Sequence, residues 1–266
     1  MRLKDRIAIV VGAGQSPGDG MGNGRAVALI FAREGAKVIC VDHNQASAQE
    51  TADLIAAKSG TAVAFQADVT ADREVKAMVA DAVRRWGRID ILHNNVGVSL
   101  AGGDAELLSI TEEAFDRCVA INLKSCILAA KHVIPIMRQQ KSGAIINISS
   151  MAAITTYPYV AYKATKSAMI AFTEQLAYQN AEYGIRANVI LPRLMDTPMA
   201  VDTRARVSGR SRAEVAAGRD ARVPLRHKMG TAWDVANAAL FLASDEANFI
   251  TGVALPVDGG ALVNIN

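Results

Sequence analysis

Cysteine is scarce in this 266-residue sequence, with only Cys40, Cys118 and Cys126 present. An odd number of thiols without metal-site spacing excludes a disulfide framework and a zinc module, and it implies a reducing compartment. The four histidines, His43, His93, His132 and His227, are dispersed, so no metal site is expected. A large charge excess is missing too. The 29 basic and 26 acidic residues leave a net +3, too little for a surface that binds nucleic acid or an anionic membrane. No uninterrupted apolar run approaches the ~18 residues of a membrane span, and the first run, Ile7–Val11, is shorter than the roughly 7–15-residue core of a secretory signal. The reading is therefore a cytoplasmic protein with neither a membrane nor a nucleic-acid partner. Internal repeats, low-complexity tracts and Pro/Ser-rich linkers are absent as well.

What is present is apolar side chain, 51% of residues, which excludes intrinsic disorder and suffices for a large core. Apolar runs recur at Ile7–Val11, Lys37–Val41, Ala62–Phe65, Ile89–His93, Ala144–Ile148, Arg186–Ile190 and Val253–Val257. They are continuous rather than alternating, as strands covered on both faces should be. Helical stretches lie between them: Arg25–Glu34 before Gly35, Asp72–Trp86 before Gly87, Glu112–Met137, and Ala161–Tyr183 before Gly184. Such alternation predicts an α/β fold, one doubly wound Rossmann-type domain over residues 1–266 with a seven-stranded parallel sheet and helices on both faces. An eight-unit barrel would need more helix–strand units than the six that precede the last strand.

The first strand runs into Gly12-Ala13-Gly14, and Gly18, Gly20, Gly22 and Gly24 follow before a helix opens at Arg25. Glycines there let backbone approach a pyrophosphate at a helix N-terminus, although a flexible loop would carry the same residues. No Gly-Lys-Ser/Thr follows, which argues against a nucleoside-triphosphate loop. Asp42 ends the second strand, where a carboxylate accepts both ribose hydroxyls and repels a 2′-phosphate. His43 and Asn44 come next, neither of them the arginine that a 2′-phosphate needs, so NAD is expected rather than NADP.

Tyr162 and Lys166 lie four apart on one helix face, an arrangement that is often mere surface chemistry. An adjacent ammonium favours phenolate and predicts a Tyr162 pKa below the usual ~10. Ser150 ends the fifth strand, where its hydroxyl can hold a reacting oxygen.

With Asp68-Val69, Asn94-Asn95-Val96-Gly97, Asn122, Pro192, Thr197-Pro198-Met199, Ile250-Thr251-Gly252 and Asp258-Gly259-Gly260, these motifs resemble the short-chain dehydrogenase/reductase family over nearly the whole chain. The resemblance implies an NAD(H)-dependent oxidoreductase that interconverts a secondary alcohol and a ketone. It implies Tyr162 as general acid/base, Ser150 as orienter of the substrate oxygen, Lys166 as donor to the nicotinamide ribose, and Asn122 as holder of a relay water. Gly12, Gly14, Gly22, Gly24 and Asp42 would hold the cofactor. Asp68, Val69, Asn94, Asn95 and Gly97 would join them, with Met195 and Thr197 at the far end and Tyr162 and Lys166 touching it as well. Tetramers built through the long helices are common in the family, so a homotetramer is expected.

Departures from the family pattern are few. The glycine turn is extended between Gly14 and Gly22, Val11 and Val96 replace the usual threonine and alanine, and Arg193 stands where glycine usually follows Pro192. Ser149 sits at the commoner interval from Tyr162, yet the Ser-Ser-x-Ala run favours Ser150. Tyr159 precedes Lys166 by seven, the spacing of related enoyl reductases, which keeps an enoyl-reductase-like activity as an alternative. A methyltransferase or a catalytically silent dinucleotide sensor are the alternatives from other classes, and the intact Tyr162 and Lys166 oppose both. The expected substrate-covering segment spans 193–230. Within 201–228 it sets eight cations against three carboxylates. That reads as a solvated face or a subunit contact, or as arginines that clamp a substrate carboxylate or phosphate.

Overall fold

The apolar runs become strands because β-branched side chains fit a pleated surface covered on both sides. In the computed structural model, which describes residues 1–263, the chain begins β1 (Ile7–Val11), α1 (Asn23–Arg33), β2 (Lys37–Asp42), α2 (Gln45–Ala56), β3 (Thr61–Gln66), α3 (Asp72–Trp86) and β4 (Ile91–Asn94). It continues with α4 (Glu112–Val119), α5 (Ser125–Gln140), β5 (Gly143–Ile148), α6 (Val160–Asn180), β6 (Ile185–Pro192) and β7 (Met195–Asp196). Then come α7 (Asp202–Ser208), α8 (Arg212–Asp220), β8 (Gly230–Thr231), α9 (Ala232–Ala243) and β9 (Ala254–Val257).

Seven strands form one parallel sheet in the order β3-β2-β1-β4-β5-β6-β9. The direction of winding reverses between β1 and β4, and that switch point opens a crevice at the carboxyl ends of the strands. Side-chain alternation sends Ala8 and Val10 to a core under α1 and α9, and Ile9 and Val11 to a core under α3, α5 and α6. Both faces are buried, as the unbroken apolar runs require.

Helix ends follow local chemistry. Asn44 caps α2 by accepting from the Ser47 amide, Thr111 caps α4, and Ser211 with Glu214 makes a capping box on α8. Gly87 stops α3 in the left-handed region at φ +72°.

Three features differ from the sequence reading. A helix forms over Gln45–Ala56, and β7 pairs with β8 in a small separate sheet. The long helix expected over Glu112–Met137 breaks at a π turn, Ala120–Lys124, and runs on to Gln140. By length and mean hydropathy the whole stretch Glu112–Gln140 would pass for a membrane span. Here it carries Lys124 and Lys131, the latter paired with Asp72, and packs Ala129, Val133 and Met137 into the core.

Candidate active site

The crevice is a single cleft of about 1470 Å³ that runs from the end of β2 to the helices α7 and α8. Its first part is the glycine turn. Gly24 sits so close beneath Gly12 that a Cβ on it would lie 1.9 Å from the Gly12 carbonyl oxygen, and a Cβ on Gly14 would lie 2.6 Å from Asp42 Oδ2. Only glycine permits this packing. Asp42 Oδ2 accepts the Gly14 amide (3.1 Å) and Oδ1 accepts the Asn44 amide (3.0 Å), which holds the carboxylate at the wall. Asn23 Oδ1 opens α1 on the same wall, buried and without a partner among the described residues. A cradle that admits no Cβ, a carboxylate at the end of β2 and an orphaned acceptor at a helix N-terminus fit a dinucleotide.

The extended part of the turn docks on the helices beyond the cleft. The Asp19 amide donates to Asp202 Oδ1 (3.2 Å), Arg206 Nη1 to the Pro17 carbonyl (3.2 Å) and Arg212 Nη2 to the Asp19 carbonyl (3.4 Å). A Cβ on Gly18, at φ +144°, would strike Asp202. The insertion thus joins the two halves of the cleft.

Gly12, Gly14, Gly22, Gly24, Asp42, Asp68, Val69, Asn95 and Gly97 all line the cleft, as do Met195 and Thr197. Leu100, Tyr157, Tyr159 and Met199 stand on the same wall. Two expected site residues stand back. Asn94 is buried beneath the surface, where its Nδ2 donates to Asn147 Oδ1 (2.9 Å). The Asn122 side chain is also spent on structure: Oδ1 accepts the Val98 amide (2.7 Å), and Nδ2 donates to the Val98 carbonyl and to Thr165 Oγ1. The side chain pins the loop after β4 to α6 from within the π turn, so a relay water at Asn122 would fall to its backbone carbonyl rather than to its amide N–H groups.

The reacting end is built by β5 and α6. Alternation at the end of β5 separates the two serines. Ser149 turns inward and donates to the Lys166 carbonyl (2.7 Å), while Ser150 lines the cleft on the side of Tyr162, its Oγ accepting the Ala152 amide (3.1 Å). Lys166, 2% exposed, donates from Nζ to the Ile148 carbonyl (2.7 Å) and lies 5.8 Å from the centre of the Tyr162 ring. Gly97 leaves it room, since a Cβ there would lie 3.1 Å from Nζ.

The titration of Tyr162 corrects the sequence expectation. Burial pushes the phenol up to about 12; the Ser150 hydroxyl draws it down, Tyr157 raises it, and Arg204 and Asp104 oppose one another. Burial also pushes the Lys166 ammonium down to about 8. Spacing placed the two groups together, but Lys166 gives its hydrogen bond to the Ile148 carbonyl, and desolvation is the largest influence on the phenol.

Sequence reasoning missed Asp104. This buried loop carboxylate accepts the Ala161 amide (2.9 Å) and the Tyr162 amide (3.0 Å), capping a helix whose own N-cap, Tyr159, supplies no side-chain bond. It also accepts from Ser99, whose hydroxyl bonds the Tyr157 phenol (3.1 Å). A carboxylate placed 58 residues before its partner leaves no local signature. Among the described residues no cluster of His, Cys, Asp or Glu could hold a metal ion.

Comparison with known proteins follows this geometry. A family model described as enoyl-(acyl carrier protein) reductase matches residues 19–261. The 2,5-dichloro-2,5-cyclohexadiene-1,4-diol dehydrogenase of Sphingobium indicum is 34% identical over 99% of this chain and 99% of its own length. A protein described as a short-chain dehydrogenase/reductase from Burkholderia xenovorans superposes with a TM-score of 0.90 at 41% identity, covering 100% of this chain and 99% of that one. Levodione reductase superposes equally well, TM-score 0.90 at 31% identity, over 97% of this chain and 98% of its own.

Proposed function

The chain belongs to the short-chain dehydrogenase/reductase family, whose members use nicotinamide cofactors, and from that premise we propose that it is an NAD-dependent enzyme that interconverts a secondary alcohol and a ketone. The observation that carries the proposal is the convergence of Ser150, Tyr162 and Lys166 on a cleft whose other end holds the glycine cradle and Asp42. Bound nicotinamide supplies the hydride acceptor or donor. The Ser150 hydroxyl orients the substrate oxygen, and the Tyr162 Oη takes or gives the hydroxyl proton. Lys166 holds positive charge beneath the phenol and reaches toward the place a cofactor ribose would take. Asp104 fixes the first turn of α6 and so aims Tyr162.

Asp42 favours NAD because a 2′-phosphate brought against its carboxylate would meet like charge. A panel of cyclic, aromatic and hydroxy-acid alcohols, followed by NADH absorbance with each cofactor, tests the reading. NAD is expected to exceed NADP at least tenfold in kcat/KM, which corresponds to about 1.4 kcal/mol. Equal values would refute the role of Asp42.

The enoyl-reductase alternative has Tyr159 in the same cleft, edge-on to Tyr157 at 5.5 Å between ring centres. Tyr162 is the phenol beside Ser150, which favours carbonyl chemistry. An enoyl thioester should leave NADH unconsumed. Three free, buried thiols support a reducing, cytoplasmic setting. The part-exposed Phe115 and Ile127 on α4 and α5, with Tyr178 on α6, support assembly through those helices, as a homotetramer.

A further inference from the structure

The reaction class leaves the substrate open, and the end of the cleft beyond Tyr162 bears on it. The cations of segment 201–228 are not equivalent once folded. Arg212 is paired with Asp196 (2.6 Å) and lies 3.4 Å from Asp202, and Lys228 lies 3.6 Å from Asp220. Arg206 is spent on the Pro17 carbonyl of the glycine turn. Arg210, also on the cleft, is exposed and turned to Glu214, whose carbonyl accepts from its Nη2 (3.4 Å) and whose carboxyl feels its charge. Arg204, Arg219 and Arg222 instead line the cleft as a group whose charges act on one another, and no carboxylate among the described residues comes within 4 Å of their nitrogens.

Arg219 is the most telling of the three. Its Nη2 donates to the Met195 carbonyl (3.3 Å) and its Nε faces the Met229 sulfur (3.3 Å), neither of which neutralises a cation. Asp196, a nearby carboxylate, is already held by Arg212. Burial, and then the charges of Arg204 and Arg222, push the Arg219 guanidinium down to about 10. Arg204 donates to the Ala200 carbonyl (2.8 Å), and its charge reaches the phenols of Tyr157 and Tyr162. The carboxylates on the cleft wall, Asp42 and Asp68, belong to the opposite, nucleotide end. Mutually repelling guanidinium groups on a partly desolvated wall cost free energy, and a bound anion relieves that cost through forked, charge-assisted hydrogen bonds.

We propose that Arg204, Arg219 and Arg222 form an anion subsite, and that the substrate is an alcohol or ketone bearing an oxyanion group, carboxylate, sulfonate or phosphate, held there while its carbinol oxygen lies at Ser150 and Tyr162. The carbinol end rests on the oxidoreductase reading; the anion end stands on the arginines alone.

Two arms separate these claims. In the first, inorganic sulfate is titrated calorimetrically into NADH-loaded protein, so that the pyrophosphate cradle is filled. Sulfate should bind, weaken with added sodium chloride, and weaken about tenfold or more in Arg204→Gln and in Arg219→Gln, with Arg219→Lys intermediate. Thermal unfolding of each variant checks that it folds, and Arg204→Gln serves if Arg219→Gln does not. In the second arm, 4-oxopentanoate and 5-oxohexanoate are compared with their methyl esters as NADH oxidants. The acids should win by about tenfold or more in kcat/KM at low salt, and Arg219→Gln should raise KM for the acids only. Sulfate affinity unchanged in both arginine variants, or absent in the parent protein, overturns the subsite, as do esters that match their acids. If sulfate binding depends on the arginines but no ketone is reduced, the subsite stands and the carbonyl reading falls.

Discussion

His93 sits on β4 with its ring fully buried, edge-on to Phe31 at 6.1 Å and 77°. Neither ring nitrogen has a hydrogen-bond partner among the described residues. Burial alone pushes its pKa from 6.5 down to about 3, so the folded protein holds it neutral where an unfolded chain would protonate it. The folded pKa is depressed, and the stability at stake is complete above pH 6.5 and is lost as pH falls toward 3. Each unit below 6.5 costs about 1.4 kcal/mol until the folded ring itself begins to protonate, which amounts to about 2 kcal/mol at pH 5 and about 4 kcal/mol by pH 3.

His93→Leu keeps a similar volume and removes both the titration and an unpartnered buried N–H. At pH 7.5 the substitution should stabilise the protein by about 1–3 kcal/mol before any repacking cost, roughly 2 °C in Tm per kcal/mol for a chain of this length. Urea unfolding of both proteins from pH 7.5 to pH 5 is the assay. The stability gap should widen by about 2 kcal/mol as pH falls. Parallel curves would refute the argument, because a His93 that titrates identically in folded and unfolded chains is not buried and neutral.

Tyr162→Phe keeps the ring but removes the proton carrier, so turnover should fall by roughly 10²–10⁴ while calorimetry shows NADH binding intact; near-native turnover excludes the role. Burial holds the Tyr162 phenol protonated well above neutrality, so the oxidation rate should rise between pH 6 and 9, and a flat profile would assign the base elsewhere. Asp104→Ala should cost about 1–2 kcal/mol in urea unfolding and lower kcat more than it raises KM, since it frees the first turn of α6 without touching the cofactor cradle. Light scattering should give about four times the 28.2 kDa chain mass, and a monomer mass would refute assembly through the long helices.

The sheet was legible because its strands are buried on both faces: runs such as Ile7–Val11 have no polar side to hide them, and their ends fell within two residues of the observed ones. What escaped notice was small. Helix Gln45–Ala56 turns Ala48, Thr51 and Ala52 inward along with Ile55, and side chains of that size make no apolar stripe. The π turn at Ala120–Lys124 escaped for another reason. One extra residue in a turn shifts the helix phase but leaves composition untouched.

Within the cleft, residue spacing told which groups meet but not the medium in which they meet. Tyr162 and Lys166 share a helix face as their interval requires, yet the sign of the phenol's shift depends on how much water the fold removes and on which acceptor takes the lysine proton. The same limit governs the cations of segment 201–228. As a string they form one basic block; folded, Arg212 finds Asp196, Arg206 finds the glycine turn and Arg210 the Glu214 carbonyl, while Arg204, Arg219 and Arg222 face the cleft without a counter-ion among the described residues. Charge composition counts every arginine alike, whereas binding depends on the ones the fold leaves unpaired, so the chemistry of a substrate becomes readable only after the internal pairs have been taken away.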